Sequence, residues 1–104
     1  MSLKKLVVYV PTSHADVVRQ AIGQAGGGQL GNYTFCSFSV PGAGRFLPGQ
    51  GAKPAIGQAG KLEEVAEERI EVTCQADVVP VVVAAIKKVH PYEEIAMDIW
   101  ALEE

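Results

Sequence analysis

One plan occurs twice along this chain: an apolar strand pattern, a segment with helical periodicity, and a second strand pattern. The first copy begins with the β-branched run at 6–10 and the second with the alternating run at 68–75. The tetrapeptide ADVV occurs at 15–18 and again at 76–79. Repeated β-α-β units are typical of a split arrangement in which two helices cover one face of a four-stranded antiparallel sheet. The sequence therefore predicts an α+β protein of the ferredoxin-like βαββαβ type.

The pattern also predicts where each element lies. Apolar and β-branched runs indicate strands at residues 6–10, 33–40, 68–75 and 95–102. Apolar residues at intervals of three and four predict one helix that follows a hydroxyl cap at 12–13 and ends at the glycines 26–28, and a second that Asp77 caps and that runs to about Val89. Residues 41–60 hold 6 of the 11 glycines and 3 of the 6 prolines, so we expect a long irregular loop there.

The length and net charge of the chain disfavour several classes of function. A chain of 104 residues is long enough for one core, so we expect a single domain over 1–104. A net charge of −3 with no basic stripe argues against a nucleic-acid partner. The apolar run near the start is too short for a signal sequence or a membrane span, and Cys36 and Cys74 lack the close spacing of a metal or redox motif. We expect a cytoplasmic protein with reduced thiols and no membrane contact.

The strand patterns place apolar side chains on both faces of the sheet, although two helices can cover only one. In the first strand Val7 and Tyr9 lie opposite Leu6, Val8 and Val10; in the last, Trp100 and Leu102 lie opposite Ile95, Met97 and Ile99. An exposed apolar face of this kind usually marks an interface, most commonly with another copy of the same chain. We therefore expect a homo-oligomer. The alternative is that the 41–60 loop folds over the second face.

Two stretches resemble a known family: GRFLPGQGAKPAIGQAGKLEEVAEERIE at 44–71 and HPYEEIAMDIWAL at 90–102. Both are similar to the YqfO (Nif-three-like) family, and more narrowly to the CutA-like module that lies inside its longer members and also occurs alone. The HPYE sequence is similar to a motif of CutA itself. The resemblance implies a fold related to CutA and the PII signalling proteins, which assemble as trimers through their sheets, so a trimer is the favoured assembly. It also implies that the metal ligands of the longer members lie in a different domain.

A candidate metal site lies after the second predicted helix, where His90 precedes Glu93 and Glu94. Imidazole and carboxylate groups suit a borderline divalent metal ion, but a site needs three or four ligands, so another strand or subunit would have to contribute. The alternative is that His90 only caps the helix, whose free carbonyls attract a cationic or hydrogen-bonding group. Tyr92 is interpreted as a packing residue whose hydroxyl is hydrogen-bonded.

A candidate ligand or anion site lies in the glycine-rich loop, at Gly44, Arg45, Lys53 and Gly57. Glycines let backbone N–H groups approach an anion, and the two cations could complete such a site. No phosphate-loop motif accompanies them, so the alternative is a loop that packs on a neighbour. The glutamates at 63, 64, 67 and 68 are interpreted as a solvated face, or as partners of the nearby cations.

These features favour a non-enzymatic, oligomeric binding or regulatory module that senses a small ligand or a divalent metal ion at clefts between subunits. The alternative is a structural, protein-interaction domain with no small ligand. An autonomous enzyme is the least favoured class, because no nucleophile and base occur as a recognisable pair.

Overall fold

The fold is one antiparallel sheet with two helices, described for residues 2–103 in a computed structural model. The elements are β1 (Leu3–Pro11), α1 (Ala15–Gln24), β2 (Phe38–Phe46), β3 (Glu63–Gln75), α2 (Val79–Val89) and β4 (Met97–Ala101). The strands lie in the order β2-β3-β1-β4, and each neighbouring pair is antiparallel. This order confirms the predicted ferredoxin-like α+β fold. Neither helix within the described residues is long and apolar enough to cross a membrane.

The core lies between the sheet and the two helices. Because strand side chains alternate, Leu6, Val8 and Val10 of β1 point to the same side as Ile70, Val72 and Cys74 of β3. Val18 and Ile22 of α1 and Val82 and Ile86 of α2 complete this fully buried cluster. Full burial of such an aliphatic side chain contributes about 1.5–3 kcal/mol. This core holds the helix-covered part of the sheet together.

The second strand and the following loop differ from the prediction. A strand at 33–40 and a loop at 41–60 were expected, whereas β2 continues to Phe46 and the irregular segment covers 47–62. Leu30 and Tyr33 exchange backbone hydrogen bonds of 2.9 Å, so the start of the aromatic run is a tight turn. Pro41 is accommodated because β2 is an edge strand, where a missing N–H is tolerated.

The other element bounds also need correction. β3 begins at Glu63 instead of 68, and β4 covers Met97–Ala101 instead of 95–102. A 3₁₀ turn at Thr12–His14 precedes α1, and no side chain caps either helix. The predicted hydroxyl and Asp77 caps are therefore wrong.

The outer face of the sheet is mixed, so the prediction of two apolar faces is only partly right. Near its middle the Arg69 guanidinium donates two hydrogen bonds of 3.0 Å, one to the Glu71 carboxylate and one to the Tyr9 hydroxyl. Apolar side chains flank this polar cluster, and Phe38, Val40 and Trp100 remain 65%, 43% and 43% exposed. The 47–62 segment therefore leaves this face uncovered.

Candidate functional site

The candidate site lies at one end of the sheet, where three segments meet. The β2–β3 ladder continues beyond Pro11, the last residue of β1, which pairs with Glu67. Residues 43–46 and 63–66 thus form a two-stranded extension, here called the arm, and the 47–62 loop joins its strands. The segment 90–94, which follows α2, meets both the end of β1 and the arm.

His90 links this segment to β1 through a hydrogen bond. Its Nε2 lies 2.7 Å from the Tyr9 carbonyl oxygen, and its Nδ1 accepts the Tyr92 backbone N–H at 3.1 Å. Acceptance at Nδ1 places the ring proton of the neutral imidazole on Nε2, which donates to Tyr9. The side chain is only 7% exposed, and this burial lowers the pKa of His90 below its ordinary value. His90 is thus a neutral ring with a hydrogen bond at each nitrogen.

Tyr92 fastens the same segment to β3 and to the arm. Its hydroxyl donates to Glu67 Oε2 at 2.8 Å, and its ring centroid lies 5.1 Å from that of His90 and 5.8 Å from that of Phe46. Burial, followed by the hydrogen bond to Glu67, raises the pKa of Tyr92. The phenol therefore stays protonated and serves as a donor to a buried carboxylate.

Gly44 makes room for that carboxylate. A Cβ atom at Gly44 would lie 2.1 Å from Glu67 Oε1, far inside any normal contact distance. Glu67 itself is only 9% exposed. The absence of a side chain at Gly44 therefore lets the carboxylate lie against β2 and reach Tyr92.

A cavity of about 240 Å³ lies beside Tyr92, between the arm, the loop and the segment after α2. Most of its lining is apolar, and the carboxylates of Glu93 and Glu94 line the remainder. The lining residues are Phe46, Leu47, Pro48, Pro54, Ala55, Ile56, Tyr92, Glu93 and Glu94. Glu93 Oε1 also accepts the Lys53 backbone N–H at 2.7 Å, which ties the loop to this segment.

The three residues of the predicted metal site, His90, Glu93 and Glu94, are not equally free to bind a metal ion. Both nitrogens of His90 are engaged, one oxygen of Glu93 holds the loop, and Glu94 is exposed. Within residues 2–103, no three His, Cys, Asp or Glu side chains are grouped so that they could hold a metal ion. Ligation by His90 would require it to release a hydrogen bond. A metal site here stays a prediction that needs ligands from another subunit.

The predicted anion residues each lie next to a carboxylate. Gly44 packs against Glu67, and Gly57 packs against the Glu63 side chain. Arg45 pairs with Glu64 at 3.0 Å, and the Lys53 N–H donates to Glu93. These negative neighbours oppose a bound anion. The anion site also stays a prediction, and its surroundings disfavour it.

Sequence reasoning missed the role of Glu67. The glutamate was interpreted as one of a solvated acidic run, and Glu64 and Glu68 do form ion pairs, with Arg45 and Arg19 respectively. Glu67 is buried because Tyr92, 25 positions away, reaches it across the end of β1. No local pattern distinguishes this glutamate from its neighbours. The expectation of a packed Tyr92 with a bonded hydroxyl agrees with the structure.

Comparison with known proteins finds relatives that are much longer than this chain. No protein-family model matches it. A Mycobacterium tuberculosis protein named GTP cyclohydrolase 1 type 2 homolog is 50% identical over 100 residues, which make up 96% of this chain and 26% of the relative. The protein of that name from Bacillus subtilis is 49% identical over 102 residues, 98% of this chain and 27% of its own length. The chain spans about a quarter of the length of these curated relatives.

Solved structures give the same relationship. A Bacillus cereus protein related to NIF3 matches with a TM-score of 0.86 and 44% identity, over 99% of this chain and 26% of that protein. The divalent cation tolerance protein CutA from Archaeoglobus fulgidus matches with a TM-score of 0.69 over 98% of this chain and 85% of its own, at 14% identity, which shows a shared fold. The predicted resemblance is confirmed: this chain is a homologue of the YqfO (Nif-three-like) proteins, and it has the CutA-like fold.

Proposed function

We propose that the chain is a non-enzymatic, oligomeric binding and regulatory module of the Nif-three-like family, located in the cytoplasm. The observation on which the proposal depends is that both edges of the outer sheet face carry exposed apolar side chains: Phe38 and Val40 of β2 are 65% and 43% exposed, and Trp100 of β4 is 43% exposed. Burying these side chains against sister copies would remove apolar surface from water. A trimer is the assembly that the family resemblance favours.

The bonded polar groups of the site, on His90, Tyr92 and Glu67, support a binding role over a catalytic one. Both ring nitrogens of His90 are hydrogen-bonded, and the Tyr92 hydroxyl donates to Glu67 Oε2. A general base needs an available lone pair within reach of a substrate proton. These groups instead hold three segments in place beside the cavity, which is the arrangement expected of a rigid ligand-binding site.

The name of the longer relatives does not determine the activity of this chain. The chain matches only about a quarter of their length, so their activity can reside in the remaining three quarters. In this proposal the chain contributes assembly and ligand recognition. The ligand is a small molecule, or a divalent metal ion held between subunits.

Light scattering on the native protein tests the assembly, and we expect the mass of a trimer. Calorimetric titration with divalent cations and common nucleotides tests the ligand. A monomer across a wide concentration range would contradict the oligomeric part. A trimer without heat from any of these compounds would remove metal ions and nucleotides from the list of ligands.

A structural, protein-interaction domain is the second candidate, because apolar residues also lie outside the outer sheet face. Leu30 and Tyr33 in the turn before β2 are 68% and 73% exposed. A pull-down with this chain as bait distinguishes the candidates: a stable heteropartner that Leu30→Ser and Tyr33→Ser abolish would favour this second function.

A further inference from the structure

We propose that the cavity beside Tyr92 binds a small amine, with an ammonium group on a compact apolar body. This inference rests on the proposed binding function and names its ligand class. The cavity volume of about 240 Å³ lies below the roughly 300–1,000 Å³ of sites for drug-sized molecules. The occupant is therefore a compact molecule.

The charge of the cavity selects a cation. Glu93 and Glu94 line it, and among the described residues no lysine or arginine side chain does so. Over residues 2–103, neither carboxylate takes part in an ion pair. Lys87 lines an adjoining cavity that shares Tyr92, Glu93 and Glu94, and it too forms no ion pair with them. An anionic ligand would be repelled here, and a neutral one would leave both carboxylate charges without a counter-charge.

The aromatic lining suits the same ligand. Phe46 and Tyr92 meet edge to face, with ring centroids 5.8 Å apart, and both line the cavity. An aromatic face attracts a cation through its quadrupole, and it also packs against an apolar body. The hydrogen bond from the Tyr92 hydroxyl to Glu67 fixes the ring, so the aromatic wall is in place before the ligand arrives.

Three probes of similar shape test the charge requirement: benzylamine, benzyl alcohol and benzoate. Each is titrated into the ¹⁵N-labelled full chain, and the backbone amide signals of residues 46, 47, 55, 56 and 92–94 are followed by NMR. We expect benzylamine to shift these signals in a saturable manner, benzyl alcohol to bind several-fold more weakly, and benzoate to have no effect.

Two charge-removing variants test whether the Glu94 carboxylate interacts with the ammonium group. Glu94→Gln keeps the shape of an exposed side chain and removes its charge, and we expect benzylamine affinity to fall about threefold to fivefold, the upper part of the range for an exposed charge pair. Asp77→Asn is the control, because Asp77 is also exposed and lies outside the cavity. We expect it to change the affinity by less than twofold.

Equal shifts from benzylamine and benzyl alcohol would overturn the inference, as would no shift from benzylamine at millimolar concentration or equal losses in the two variants. Light scattering on the same samples separates this result from the proposed function. If the protein is a trimer and does not bind benzylamine, only the proposed ligand class is refuted. If it is a monomer and does bind benzylamine, only the proposed oligomer is refuted.

Discussion

The His90 ring donates a 2.7 Å hydrogen bond to the backbone carbonyl of Tyr9, at the point where the ladder between β1 and β4 stops. The Tyr9 N–H still donates to Ala96 at 3.1 Å, so the imidazole takes the place of the next strand partner. Because the ring also accepts the Tyr92 N–H, His90 serves two backbone groups that are otherwise left without partners there. At this end, the strand predicted at 95–102 begins only at Met97.

Acid should destabilise the protein through His90. Its pKa is lowered in the folded state, so the unfolded chain binds the proton more readily below the ordinary value of 6.5. The contribution is complete above pH 6.5 and is lost as the pH falls towards the lowered pKa of the folded state. Among the neighbouring side chains, Glu67 acts electrostatically to raise the pKa of His90 and His14 acts to lower it.

The test is the melting temperature between pH 5 and 8 at constant protein concentration. We expect His90→Gln, which keeps an amide donor but does not titrate, to lose less stability in acid than the wild type. His14→Gln, in the turn before α1, removes a group that acts on the ring from outside, and it should reduce the acid sensitivity less than His90→Gln does. Identical acid sensitivity in all three proteins would contradict the assignment.

Tyr92→Phe should destabilise the fold by about 1–3 kcal/mol, because it leaves the buried Glu67 carboxylate without its donor. Urea unfolding measures the change. Tyr33→Phe is the control, since Tyr33 is 73% exposed, and we expect no measurable effect. Adding Glu67→Gln to Tyr92→Phe should recover part of the loss; strictly additive effects would show that the two side chains are not coupled.

Gly44→Ala should displace the Glu67 carboxylate, because the new Cβ would lie 2.1 Å from its Oε1. We expect a loss of about 1–3 kcal/mol on urea unfolding, of the size seen when a core position is overfilled. Gly42→Ala, two residues earlier in the same strand, has no atom within 4 Å of its new Cβ and should be nearly neutral. Equal effects of the two substitutions would contradict the packing of Glu67 on Gly44.

Trp100→Glu should dissociate the proposed oligomer, because it places a charge on the apolar flank of the outer sheet face. Light scattering should then give the mass of a monomer. Val81→Glu introduces the same charge on the exposed side of α2, where Val81 is 56% exposed, and should leave the assembly intact. Dissociation by both substitutions, or by neither, would argue against an interface at this face.

The order of the elements and the helix-facing core could be predicted because they follow from local periodicity. The alternation of Ile70, Val72 and Cys74 and the helical spacing of Val18 and Ile22 both depend on residues a few positions apart. The position of β2 could not be predicted, because its glycines and Pro41 are those of a loop. They are tolerated only because β2 lies at the edge of the sheet.

The candidate site was predictable only in part. The sequence drew attention to His90 and Glu93, and a hydrogen-bonded Tyr92 was expected. The partners of His90 and Tyr92 are Tyr9, 81 positions away, and Glu67, 25 positions away. Such contacts arise from the fold, and no pattern in a short window specifies them.

The attachment of the arm has a mechanical consequence. Outside its own ladder and among the described residues, the arm and its loop contact the rest of the protein through the packing of Gly44 on the Glu67 carboxylate, the Phe46–Tyr92 ring contact and the bond between the Lys53 N–H and Glu93. Each of these contacts involves Tyr92, its neighbour Glu93, or the Glu67 carboxylate to which Tyr92 donates. A proteolytic cut or a one-residue insertion between His90 and Tyr92 would release the hairpin tip, while the layer of helices stays seated on the strands.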